Sequence, residues 1–223
     1  MHAEDELNDL RSAVREMADL VVDRFTAATQ ALTTRSHELA TRVLEGDGET
    51  NARHMAIDEQ CLRLLARQQP LARDLRLLIA CIKINADLER MGDQAVNIAG
   101  HALRLAYQPP LQVALDIATM TRVVEWMVHE ALDAFVHLDV VRAERVLARD
   151  DEVDQMKEQH FRASLASMVA DPASIERALG LVLVSRSLER IADHATNIAE
   201  DVIFLVEGRD VRHGGARPAG GAA

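Results

Sequence analysis

The sequence predicts an all-α fold, two pseudo-symmetric three-helix bundles lying side by side with six helices in all, and three observations carry that prediction. Composition comes first: 48% of the 223 residues are hydrophobic, only 3% are aromatic, and Gly and Pro number 10 and 5, which favours helices packed on an aliphatic core. An internal repeat comes second. Leu-Glu-Arg-Met-Gly-Asp-Gln-Ala-Val-Asn-Ile-Ala at 88–99 matches Leu-Glu-Arg-Ile-Ala-Asp-His-Ala-Thr-Asn-Ile-Ala at 188–199 in 8 of 12 positions, at an offset of 100, and Arg42-Val43-Leu44 is echoed by Arg145-Val146-Leu147 at an offset of 103. The third is a shared apolar seam. Cys81, Ile84, Leu88, Met91, Ala95, Ile98, Ala102 and Leu105 advance by alternating steps of three and four, as do Leu181, Val184, Leu188, Ile191, Ala195, Ile198, Val202 and Leu205. That rhythm is the signature of near-parallel bundle packing.

Sparse breakers set the elements in order. Gly46 and Gly48 end a first long helix over 5–45; a second runs over 49–68; Pro70 follows Gln68-Gln69 and suits the first turn of a third over 71–106. Pro109-Pro110 separate the repeats. The fourth helix is predicted over 112–148, the fifth over 150–169, and the sixth over 173–206, with Asp171 as side-chain cap ahead of Pro172 and Gly208 as terminator. Residues 1–108 therefore read as the first repeat, 109–208 as the second, and the Gly- and Ala-rich segment 209–223 as a disordered tail with nothing to bury.

Charge and motif content narrow the function. A formal charge of −11 is the wrong sign for nucleic acid or anionic lipid, and one Trp with one Tyr leaves little for base stacking. No apolar run approaches a membrane span, so direct membrane insertion is not expected, and the acidic start Met1-His2-Ala3-Glu4-Asp5-Glu6 lacks the basic and apolar regions of a signal peptide. A cytoplasmic protein is the expectation. Cys61 and Cys81 show no metal or redox spacing and read as buried thiols. Neither a nucleophile motif nor a Gly-rich phosphate loop is present, so no enzymatic activity is expected.

Each repeat carries paired acids, Glu89 with Asp93 and Glu189 with Asp193. Spacing of four places each pair on one helix face, about 40° apart around the axis and about 6 Å along it. Like charges so placed cost a helix some stability, so their recurrence suggests a compensating positive partner. The acids lie opposite the apolar seam, which makes a solvated acidic face the plain alternative. Asp150 and Asp154 begin the fifth helix, and the 103 offset sets Asp47 and Asn51 against them. Should these ends reach the third and sixth helices, the second cluster has four carboxylates and the first has three plus an amide. All-oxygen clusters of this kind suit Mg, Mn or Ca, with iron possible, rather than structural zinc. Asn97 and Asn197 read as helix–helix hydrogen bonders. His194 points away from Asp193, and His54, His129, His137 and His160 lack ligand spacing. Phe25, Trp126 and Phe135 read as core, with a homodimer seam as the other use for them.

Gln68-Gln69-Pro70-Leu71-Ala72-Arg73-Asp74-Leu75-Arg76, then Asp87-Leu88-Glu89-Arg90-Met91-Gly92-Asp93, then Leu188 through Glu200, together resemble the PhoU family over roughly residues 5–207. The resemblance implies two three-helix bundles with surface metal clusters held by Glu/Asp-x-x-x-Asp motifs, here Glu89, Asp93, Glu189 and Asp193 backed by Asp47, Asp150 and Asp154. Asn51 departs from the carboxylate that the family pattern would place there. The resemblance also implies partners: the ATPase subunit of the high-affinity phosphate ABC transporter and a phosphate-sensing histidine kinase, the phosphate-starvation response being kept off when phosphate is plentiful. The rivals are a metal-binding helical scaffold and a carboxylate-bridged di-metal protein unrelated to phosphate. The latter needs Glu-x-x-His motifs facing a four-helix core, and none occurs here.

Overall fold

The computed structural model describes residues 3–68, 70–109, 111 and 115–212, residues 3 and 68 by backbone only. Its α-helices are α1 (Ala3–Thr34), α2 (His37–Glu45), α3 (Asp47–Gln68), α4 (Ala72–Leu105), α5 (Ile117–His137), α6 (Val140–Leu147), α7 (Asp150–Ala170) and α8 (Ile175–Glu207), with a 3-10 turn at Pro172–Ser174. The first four form one unit and the last four its pseudo-symmetric copy. In each unit the third long helix is the hub: α4 packs on α1, α2 and α3, and α8 on α5, α6 and α7. The two hubs pack most extensively on each other, which places the units side by side.

The alternating seam is the core. Cys81, Ile84, Leu88, Met91, Ala95, Ile98 and Ala102 are buried, as are Val184, Leu188, Ile191, Ala195, Ile198, Val202 and Leu205. Leu105 and Leu181, at opposite ends of the two runs, are half-buried against a cavity of about 390 Å³ beside the inter-repeat linker. Phe25 and Phe135 lie in the core, whereas Trp126 is half-buried beneath the Arg149 guanidinium, 4.4 Å from its ring centre. Burial pushes the Cys61 thiol up to about 11 and the Cys81 thiol up to about 12, which keeps both protonated and unreactive at neutral pH.

The first long helix of each repeat is divided where the sequence suggested continuity. Arg35 and Leu138, again 103 residues apart, adopt left-handed backbone with φ of 56° and 54°. The amides of Ser36 and Asp139 then reach back to the carbonyls of Ala31 (3.0 Å) and Ala134 (2.9 Å), and each side chain caps the next helix by accepting from Leu39 N (3.3 Å) or Arg142 N (3.1 Å). Without glycine at the turn the signal is only the Ser or Asp cap, which an otherwise apolar-periodic stretch conceals. Replacing Asp139 with Ala should cost about 1 kcal/mol in urea denaturation; an unchanged midpoint would show that the cap carries no weight.

Two further boundaries differ from expectation, and one agrees with it. Pro70 precedes the helix rather than opening it, since α4 starts at Ala72 after an extended Leu71. Helix α5 begins at Ile117, capped by Asp116 Oδ1 accepting from Thr119 N at 3.0 Å; residues 112–114 of the predicted helix lie outside the described residues. Asp171 caps the turn at Ala173 N as the sequence suggested, at 3.0 Å. The tail from residue 213 on also lies outside the described residues, while Asp210 and Arg212 before it form an ion pair at 2.8 Å.

Candidate functional site: two carboxylate clusters

Helix α7 lies along α8. Three acids, Asp150, Asp151 and Glu152, occupy its first turn, where the positive end of the helix dipole favours them. Val153, buried directly after them, anchors that turn, and Asp150 and Asp154 come beside Glu189 and Asp193 on α8. The ends thus meet in the second repeat. Burial, then the charges of Glu189, Asp150 and Asp154, push the Asp193 carboxyl up to about 6; Asp150 is raised for similar reasons, by burial first and then by Asp154, Asp151 and Glu189.

A cation already stands among these acids. Lys157 Nζ donates to Asp154 Oδ1 at 2.7 Å and to Glu189 Oε1 at 2.6 Å, bridging α7 to α8. No pattern of acids announces it, because a lysine three residues after an Asp is common on exposed helix faces.

The first repeat builds a lighter version. Gly92 lets α3 approach α4 closely: a Cβ there would lie 3.1 Å from Thr50 Cγ2, and Thr50 is buried. That contact sets Asp47 close enough to Asp93 to raise its carboxyl, burial being the larger cause. Asn51 Nδ2 donates to Asp47 Oδ2 at 3.2 Å, and Glu89, half-buried, shares the Asp93 face of α4. His54 holds the position equivalent to Lys157, but turns Nε2 to Asp58 Oδ2 at 3.4 Å instead. Carboxylate donors of the right kind are therefore assembled. Yet among the described residues no three side chains of His, Cys, Asp or Glu are grouped so as to hold a metal ion, so the arrangement does not fit one as it stands.

A polar patch joins the two hubs, and of its residues the sequence marked only Asn197 as a bond between helices. Asp87 Oδ1 accepts from Asn197 Nδ2 at 3.1 Å and faces His194 Nδ1 at 2.8 Å, and Lys83 Nζ donates to the buried Asp201 Oδ1 at 2.8 Å. Asn197 is thus a helix–helix bonder, whereas Asn97 donates within its own helix to Gln94 Oε1 at 3.4 Å. The clue was an acid, Asp201, directly beside a seam position.

Apolar side chains are exposed on the outer face of the second repeat. Phe161 (49% exposed), Leu165 (50%) and Val169 (78%) repeat every fourth residue on α7, and Ile175 and Leu179 are exposed on α8. A cleft of about 350 Å³ between the two helices is lined by Phe161, Val182, Leu183 and Arg186 and ends at Lys157 and Glu189. Contiguous apolar surface rimmed by charge is the kind that takes up a partner. No helix among the described residues is long and apolar enough to cross a membrane.

Fold and sites together define a duplicated helical-bundle protein with one carboxylate cluster in each copy. The chain belongs to the PhoU family: the PhoU domain profile matches it twice, over residues 14–102 and 117–202. It is 40% identical over 212 residues to the phosphate-specific transport system accessory protein PhoU of Serratia marcescens, covering 94% of this chain and 86% of that protein. The protein of the same name from Escherichia coli K12 is 37% identical over 210 residues, covering 94% and 87%. The crystal structure of PhoU from Pseudomonas aeruginosa superposes with a TM-score of 0.90 at 40% identity, covering 93% of this chain and all of the other (100%). The Streptococcus pneumoniae phosphate transport system regulatory protein PhoU gives 0.86 at 28% identity, covering 94% and 99%.

Proposed function

We propose that this chain regulates phosphate uptake and signalling: it links the ATPase subunit of a high-affinity phosphate ABC transporter to a phosphate-sensing histidine kinase, on the cytoplasmic side, and holds the phosphate-starvation response off when phosphate is plentiful. The doubled PhoU-domain match, with relatives near 40% identity that are named phosphate transport accessory proteins, is the observation that carries this reading. An accessory role is consistent with regulation by binding rather than catalysis. The groove beside Phe161 supplies a surface of the helix-accepting type. Two partners read by one protein require differential affinity for partner states, since a regulator that bound both states of the transporter equally would transmit nothing.

The test is a phosphate-starvation reporter in a strain lacking the gene. At high phosphate the reporter should be on, and the wild-type chain should switch it off. A Phe161→Glu, Leu165→Glu variant that keeps its helical circular dichroism should fail to repress and should lose pull-down of the transporter ATPase or the kinase. A reporter that stays phosphate-controlled without the chain would overturn the regulatory role; a fully repressing variant would move the docking face elsewhere.

A further inference from the structure

The family resemblance leads to an expectation of metal on both acidic faces, and the second repeat departs from it through one residue of its own. We infer that Lys157 is the resident cation of the second carboxylate cluster, its ammonium holding Asp154 and Glu189 together across α7 and α8 and keeping hard divalent ions from those oxygens.

Three observations carry this. The first is placement. Lys157 Nζ takes one oxygen from each helix, at 2.7 Å from Asp154 and 2.6 Å from Glu189, so both short contacts use atoms that a divalent ion would need. An ammonium has three donors, and two are committed here. The second is comparison between the copies. The sets Asp47, Asn51, His54, Glu89, Asp93 and Asp150, Asp154, Lys157, Glu189, Asp193 correspond by the 103 and 100 offsets. The first copy lowers its charge by carrying an amide at Asn51, hydrogen-bonded to Asp47. The second retains every carboxylate and carries the lysine, so each copy relieves its acids by a different device. The third is enclosure. Glu189 is only 19% exposed at its side chain, on the wall of the α7/α8 cleft, so its partner is less screened than in a surface pair. The bridge also pins the groove, because Lys157 and Glu189 form one end of it.

Competition follows directly. A divalent ion entering the cluster must expel the ammonium and break both hydrogen bonds, and a chain without the lysine has no such barrier. The experiment is Mn²⁺ binding to the purified full chain after chelator treatment, read by electron paramagnetic resonance of free Mn²⁺ and by calorimetry. Lys157→Met and Lys157→Gln should each bind Mn²⁺ at least about tenfold tighter than wild type, the loss of about 1.4 kcal/mol of competition. Adding Glu189→Gln and Asp193→Asn should abolish the gain, and Lys157→Arg, which keeps the charge, should stay as weak as wild type. Circular dichroism confirms that each variant is folded, and the pair of neutral substitutions guards against one of them failing to fold. Equal Mn²⁺ affinity in wild type and in the folded neutral variants would overturn the inference, as would a gain that survives loss of Glu189 and Asp193. Neither result depends on the transporter or kinase, so this test stands apart from that of the regulatory role.

Discussion

Truncating Leu188 to Ala is expected to lower stability by about 3 kcal/mol, and Leu88→Ala at the pseudo-equivalent position should cost a similar amount. Both side chains are fully buried in the apolar seam. Each truncation removes apolar surface that stays out of water in the folded chain and leaves a cavity that rigid helices on several sides cannot close. Because α4 and α8 pack most extensively on each other, loss in one repeat should be felt by the other. Urea denaturation followed by circular dichroism should therefore show one cooperative transition in wild type, shifted to lower urea by either variant. Two separable transitions, each moved by only one of the substitutions, would show that the repeats are energetically independent.

Replacing Lys83 with Met should cost about 2 kcal/mol at neutral pH, less than a fully enclosed pair would because Lys83 remains partly exposed to water. Its ammonium is the ion-pair partner, at 2.8 Å, of Asp201, a carboxylate buried between the hubs, and it also lies 5.6 Å from the Phe204 ring centre. Methionine keeps the aliphatic stem but strands the acid. The pH dependence has a definite sign. Burial holds the Asp201 carboxyl above the ordinary carboxylate range, opposed by the hydrogen bond and charge of Lys83. In that window the folded chain binds the proton and the unfolded chain does not, so this group favours folding at lower pH and loses that contribution as pH rises through the raised value. Without Lys83 the window extends further upward. The deficit of Lys83→Met relative to wild type should accordingly shrink as pH falls from neutral toward about 5, and Asp201→Asn in the same background should recover much of it. A deficit independent of pH would show that lost packing over Phe204, rather than the stranded charge, sets the cost.

Much of this molecule was legible in local pattern. Three- and four-residue steps through Leu88, Ile98, Leu188 and Ile198 fixed which helix face is buried, because a helix repeats its orientation every few residues and an apolar stripe must leave water. The repeated Leu-Glu-Arg block established the duplication. The divisions at Arg35 and Leu138 escaped because the left-handed turns carry no glycine and their caps are single polar residues in periodic surroundings.

The acids were visible as pairs on one face, but their company was not. Whether Asp150 and Asp154 meet Glu189 and Asp193 depends on how far the turn at Pro172–Ser174 lets α7 slide along α8, and only packing of side chains such as Val153 decides it. The choice of Lys157 as their cation, the pairing of Asp87 with His194, and that of Lys83 with Asp201 were likewise settled by tertiary structure. By itself the sequence determined the helical class, the buried faces of the long helices and the twofold repeat, since these follow from interactions within a few turns of chain. Only the tertiary structure decided which charges share a low-dielectric surface, since Coulomb partners are chosen by distance in space and a spacing of about 100 residues carries no angle.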